Sequence, residues 1–192
     1  MSDSISLWQA EHVNFATLLD LLEDQLDIFH RGKKPDYEMM LDIMFYMTHY
    51  PDVLHHPRED LAFARILELD VNSRPIVSDL VEQHVRLKDF GDALVRSLEN
   101  IIDGSITSRD RVEVPGRAYI AEFRSHMLKE EKAILPLAAK LMSEADWAAI
   151  RAAIPDIDDP LFVTKGEDRY ASLRQQIARE ARASKARRMT GA

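Results

Sequence analysis

Cysteine is absent from the 192 residues, and that absence excludes disulfides, thiolate metal sites and cysteine nucleophiles. Glycine and proline are scarce, with six and eight residues, so most of the chain is free to form long regular elements. No apolar run approaches the roughly 20 residues that a membrane span requires. The opening stretch "MSDSISLWQAEHVNF" has neither a basic segment nor an uninterrupted apolar core, so no secretory signal is expected and the cytoplasm is the expected location. An excess of positive charge is also missing. The net charge of −8 argues against nucleic-acid binding by the chain as a whole. The end, "RQQIAREARASKARRMTGA", reverses the balance, with six Lys/Arg against one Glu, and reads as a solvated helix end. What remains is an ordinary soluble composition, 46% hydrophobic, long enough for one well-packed domain.

Apolar residues recur at helical spacing almost throughout. Phe15, Leu18, Leu19, Leu22, Leu26 and Phe29 form one stripe, ended by Gly32 and Pro35. A second helical region is predicted from Asp36, its N-cap, to about Leu69. Pro51 and Pro57 must kink or interrupt it, because each lacks an N–H and clashes with the preceding turn. "NSRP" restarts the chain, with Ser73 as cap and Pro75 in the first turn. The third helix stops at Gly104. A fourth runs to about Met142, and Pro115-Gly116 should divide its beginning. A short fifth helix, "SEADWAAIRAAI", is opened by Ser143, and "EDRYASLRQQIARE" forms a sixth. Nothing alternates with period two, so the class is all-α. Short connections between the first four helices favour an up-down-up-down bundle. Residues 1–155 are expected to hold that bundle and the short fifth helix, and residues 156–192 a C-terminal extension with a helix and a basic tail.

A tandem pattern runs through the bundle. His12 in "EHV" and His84 in "QHV" lie 72 residues apart. His55 and His126 lie 71 apart, as do Glu59 and Glu130. The order is therefore single His, HxxxE, single His, HxxxE. Residues four apart on a helix share a face about one turn of ~5.4 Å apart, so a His and a Glu so placed can reach one ion. Heights agree as well. His12 lies 19 residues before Arg31, and His55 lies 19 after Asp36. In an antiparallel hairpin both then sit roughly 28 Å from the connection. His84, 19 before Asp103, and His126, 19 after Thr107, match in the same way.

His12, His55, Glu59, His84, His126 and Glu130 should therefore converge on the core. Buried carboxylates and imidazoles are costly unless paired or metal-bound, and one cation site explains all six together. Six ligands exceed the four of a tetrahedral zinc. Two first-row ions bridged by carboxylates fit better, and carboxylate-bridged di-iron centres occur in bundle cores. Pro57 sits inside the first HxxxE and bends it, so His56 is the alternative to His55.

On these motifs the chain resembles the hemerythrin-like, or HHE cation-binding, family over about residues 7 to 142, and "DDPLF" is similar to the tail of bacterial members. The resemblance implies two iron ions, with His12, His55, His84 and His126 as terminal ligands and Glu59 and Glu130 as bridges. It also implies a function: a non-haem di-iron protein that binds or senses dioxygen, nitric oxide or peroxide, served by a redox partner not identifiable from sequence. Alternatives are a di-iron enzyme decomposing peroxide or nitric oxide, and an iron storage or delivery protein. The family's oxygen carriers have a second histidine one turn after the third-helix histidine. Here that place is Lys88, which implies an open coordination position. Around this set, His30 and His49 read as helix-end surface residues, His49 with a ligand or outer-donor alternative. Asp60 and Glu131 read as solvated or outer acids. Tyr119 reads as core, with a hydroxyl turned to the metal pocket as the alternative, and the methionines at 39, 40, 44 and 47 read as flexible core filling.

Overall fold

The computed structural model of the chain describes residues 3–155, 157, 159–162 and 170–179. All regular structure among them is helical. Helix α1 spans Asp3–His30, α2 Tyr37–Tyr50, α3 His56–Leu69, α4 Arg74–Ile102, α5 Asp110–Lys129, α6 Leu135–Leu141 and α7 Glu144–Ala153. Residues 171–179 form a further helix; the rest of the basic tail, from residue 180, lies outside the described residues.

The expected stops and starts are where backbone chemistry puts them. Gly32 (φ 73°) and Gly104 (φ 82°) occupy the left-handed region, 72 residues apart. In each case the glycine N–H and the next N–H bond back to the last helical carbonyls: Gly32 to Phe29 and Lys33 to Ile28, Gly104 to Ile101 and Ser105 to Asn100. This closes the open carbonyls of α1 and α4. Asp36 caps α2 by accepting from the Met39 N–H, and Ser143 and Asp146 form a reciprocal capping box at α7. Ser73 sits at the N-cap position of α4, but its hydroxyl bonds to the Asp70 carbonyl instead of capping.

Two helices are interrupted by π-helical turns, Pro51–His55 and Glu130–Ile134. Both precede a proline in the first turn of the next helix, Pro57 in α3 and Pro136 in α6. A π turn carries one extra residue, which makes room for a ring that cannot accept the regular helical path. The anticipated break at Pro115-Gly116 does not occur. Pro115 lies within a continuous α5, and Gly116 brings that helix close to α1, where an added Cβ would stand 2.9 Å from Leu26 Cδ1.

The apolar interior is in two parts. One holds Phe15, Leu22 and Leu26 of α1, Met40, Met44 and Met47 of α2, Leu87, Leu94 and Leu98 of α4, and Ile120 and Phe123 of α5. The other holds Ile5 and Trp8, Phe63 and Ile66, Val77 and Leu80, Ile134 and Leu135, and Trp147 of α7. Along α1 and α4 the second cluster comes first and the larger one follows. Along α2–α3 and α5–α6 the order reverses. A layer of polar residues lies between the two clusters on all four paths. Leu161, Tyr170 and Leu173 pack on the larger cluster. There Asp159, of the "DDPLF" stretch, accepts the Tyr46 hydroxyl at 2.7 Å.

Candidate metal centre

The polar layer is made by one to three residues from each path through the bundle. α1 contributes His12, and α4 contributes His84. The π turn ending at His55 and the start of α3 contribute His55, His56 and Glu59. The end of α5 and the π turn after it contribute His126 and Glu130. All except His84 are almost fully buried, and the His84 side chain is only 10% exposed.

Their ligand atoms fall into two groups, each with its atoms within 4.8 Å of one another: His12, His55, Glu59 and Glu130, and His56, Glu59, His84 and His126. Glu59 belongs to both. Its Oε1 faces His55 Nε2 (2.7 Å) and His12 Nε2 (3.7 Å), while its Oε2 faces His84 Nε2 (3.5 Å) and His126 Nε2 (3.7 Å). Glu130 Oε2 stands between His12 Nε2 (3.4 Å) and His126 Nε2 (3.3 Å). Across the helices, the Nε2 atoms of His12 and His55 approach to 3.3 Å and those of His84 and His126 to 3.2 Å. Despite these separations, all four oxygens of Glu59 and Glu130 are buried without a directed hydrogen bond. Even the 2.7 Å approach of His55 to Glu59 is off the ring N–H direction. Five imidazoles and two carboxylates that converge while the carboxylate oxygens stay unsatisfied are a donor set able to hold a cation. Rings of Trp8, Phe15, Phe63 and Phe123 lie against these histidines.

Charge in the cluster follows the same geometry. Burial opposes a proton on His12, but Glu130 and Glu59 outweigh it and push its pKa up to about 10. For His84 burial is likewise overcome, by Asp60 and Glu59, again to about 10. His126 has no outer carboxylate, and burial takes it down to about 3. Burial, followed by repulsion from Glu59, raises Glu130 to about 7. Burial alone would raise Glu59, yet the surrounding histidines, His55 foremost, hold it well below the ordinary value.

Outside the layer, carboxylates hold the other ring nitrogen. Glu11 Oε2 takes His55 Nδ1 at 2.7 Å, and its Oε1 accepts from the Tyr50 hydroxyl (2.8 Å) and Arg58 Nη2 (2.9 Å). Glu131 meets His12 Nδ1 at 3.2 Å, Asp60 meets His84 Nδ1 at 3.0 Å, and Asp52 meets His56 Nδ1 at 3.1 Å. Each such contact fixes ring orientation and turns Nε2 inward. Asp60 and Glu131 thus serve a neighbouring helix: each follows an inward glutamate and points about 100° away from it.

The six residues singled out in the sequence all reach the layer. Sequence reasoning set His55 against His56 as alternatives, and the structure brings in both. His56 stacks on His84 with centroids 4.3 Å apart and planes 18° apart. Lys88 stays outside the layer, as expected of a non-ligand: its side chain is 65% exposed and pairs with Asp92, while a fifth imidazole, that of His56, enters the layer from α3. His49 stacks on Phe45 and bonds to its carbonyl, and His30 pairs with Glu113 at the surface. Tyr119 is core, its hydroxyl 3.4 Å from the Met47 carbonyl. Glu11 escaped sequence reasoning, although the matched pairs Glu11-His12 and Gln83-His84 carried the signal.

A helical bundle with a buried histidine–carboxylate layer defines a cation-binding class of protein. The family model of the hemerythrin HHE cation-binding domain matches residues 3–138, and the chain belongs to that family. No curated protein and no solved structure shows significant similarity to the chain.

Proposed function

We propose that the chain is a non-haem di-iron protein that binds or senses a small oxidant: dioxygen, nitric oxide or peroxide. The observation that carries this reading is the sharing of Glu59 between two groups of ligand atoms. A carboxylate with each oxygen facing a different histidine set is suited to bridge two ions. His12, His55, Glu59, His84, His126 and Glu130 are the ligands on this reading, with His56 as a seventh beside His84. Two ions with seven protein donors leave room for a small exogenous ligand, since first-row ions of this kind favour up to six donors each. Bound iron would supply the electrons that reduce such an oxidant.

The chain's own part is exclusion and orientation. The aromatic rings against the histidines keep out bulk water and larger substrates, and the outer carboxylates hold each Nε2 inward. His84, with Asp60 beside it, is the member nearest solvent and marks the side from which a diatomic molecule or peroxide would arrive. The reversal of cluster order along successive helices supports an up-down-up-down bundle; residues 1–155 as the domain and 156–192 as its extension belong to the proposal. No described helix is long and apolar enough to cross a membrane; a cytoplasmic location and a separate redox partner belong to the same proposal.

The test is the visible spectrum of anaerobically purified, iron-replete protein before and after exposure to dioxygen or nitric oxide. A new charge-transfer band on exposure, absent from His126→Ala, is expected. A colourless, unresponsive protein that contains iron would refute the reading.

A further inference from the structure

Four of the five histidines in the layer have Nδ1 held by a carboxylate, and His126 does not. Its Nδ1 is buried without a partner. One other buried side chain of the neighbouring helix is in the same condition. Gln83 of α4 is 1% exposed, and its Oε1 is buried and unpartnered. Leaving both groups unpaired costs about 1–3 kcal/mol each, whereas a single hydrogen bond between them satisfies both.

The repeat says where Gln83 stands. Glu11 directly precedes His12, and Gln83 directly precedes His84, 72 residues later. In the first half, the residue before the single histidine reaches across to the Nδ1 of the HxxxE histidine on the next helical path, Glu11 to His55. In the second half, the corresponding pair is Gln83 and His126. The facing Nε2 contacts of the two halves agree, at 3.3 and 3.2 Å, so the halves share geometry as well as sequence order.

We propose that Gln83 is the positioning residue of His126, its Oε1 accepting a hydrogen bond from the His126 Nδ1–H and leaving the bare Nε2 turned into the layer. The proposal rests on the metal-site reading only for its consequence. An amide is a neutral acceptor, whereas Glu11 is an anion, so His126 is oriented without the added basicity that a carboxylate lends His55. The second half of the centre therefore has a weaker donor at the position equivalent to His55.

The experiment has two readouts. The first is nuclear magnetic resonance of metal-free protein with nitrogen-labelled histidine. A slowly exchanging His126 Nδ1–H with an Overhauser contact to the Gln83 side-chain amide is expected in the unaltered protein, and its loss in Gln83→Leu. The second is zinc affinity by chelator competition. Gln83→Leu should weaken one ion by about 10–100-fold while leaving the other nearly unchanged, and Gln83→Glu, which keeps an acceptor, should restore it. A His126 Nδ1–H that exchanges freely in the unaltered protein overturns the proposal whether or not the variants fold. So does a Gln83→Leu protein with unchanged signal and affinities. Failure of the unaltered protein to bind two ions would instead refute the di-metal reading, and the resonance of metal-free protein would still decide the Gln83 pairing.

Discussion

Metal binding to this protein should be strongly proton-linked, and the number of protons can be worked from the layer. In metal-free protein His12 and His84 titrate near 10, so both are protonated at pH 8.5. At that pH Glu130, near 7, is ionised, and His126, near 3, is neutral. Imidazole must be deprotonated to bind a cation. Burial is outweighed at His55 by Glu59 and Glu11, which raise it above its ordinary value. Filling the site should therefore release at least about two protons per chain at pH 8.5, and more at pH 6, where His55 and Glu130 also give up theirs. Apparent affinity should rise with pH, by at least about 100-fold per unit between pH 7.5 and 9.5, the step that removes the His12 and His84 protons. The stability of the metal-free fold should move the other way. His12 and His84 have folded values above their ordinary 6.5. Their contribution is complete below 6.5 and is lost as pH rises through about 10. The assay is zinc titration calorimetry in several buffers of different ionisation enthalpy. Release of no protons at pH 8.5 would refute the charge assignment.

Further outcomes follow from particular contacts. Glu130→Ala should lose at least one ion while His30→Ala keeps both, read by metal analysis; equal retention would overturn the assignment, since His30 pairs only with Glu113 at the surface. Lys88→His should leave metal content and spectrum unchanged, because the side chain at 88 faces solvent; an altered spectrum would return that position to the site. Gly91→Ala would place a Cβ 2.8 Å from Thr48 Cγ2 and 3.3 Å from Tyr119 Cε2. Overpacking of this kind costs about 1–3 kcal/mol, against about 1 gained in helix propensity, so a net loss in urea denaturation is expected and a stabilised variant would contradict the packing.

Much of this architecture is legible in the sequence because it depends on local rules. The 72-residue repeat, the glycines at 32 and 104 and the caps at Asp36 and Ser143 mark the helices directly. Equal distances from the connections were enough to place His12 against His55 and His84 against His126. Regular helical geometry fails at His55-His56. On an ideal α-helix neighbouring residues diverge by about 100°, which favours choosing one of them. The π turn ending at His55 changes that path, and both rings reach the layer. π turns have no simple residue signature, although a proline shortly after each, Pro57 and Pro136, is in hindsight the trace. Pro115 misled for the opposite reason, since α5 accommodates it without a break. The outer partners were harder still: Glu11 acts across helices, and only the comparison of "EH" with "QH" at matched spacing exposes it.

The central claim is a dinuclear site bridged by Glu59, and the metal content of protein purified from iron-replete cells tests it most directly. Two ions per chain are expected in the unaltered protein, with Glu59→Ala falling to one or none, because that change removes the carboxylate whose two oxygens face the two groups. One ion per chain in the unaltered protein, retained in Glu59→Ala, would contradict it.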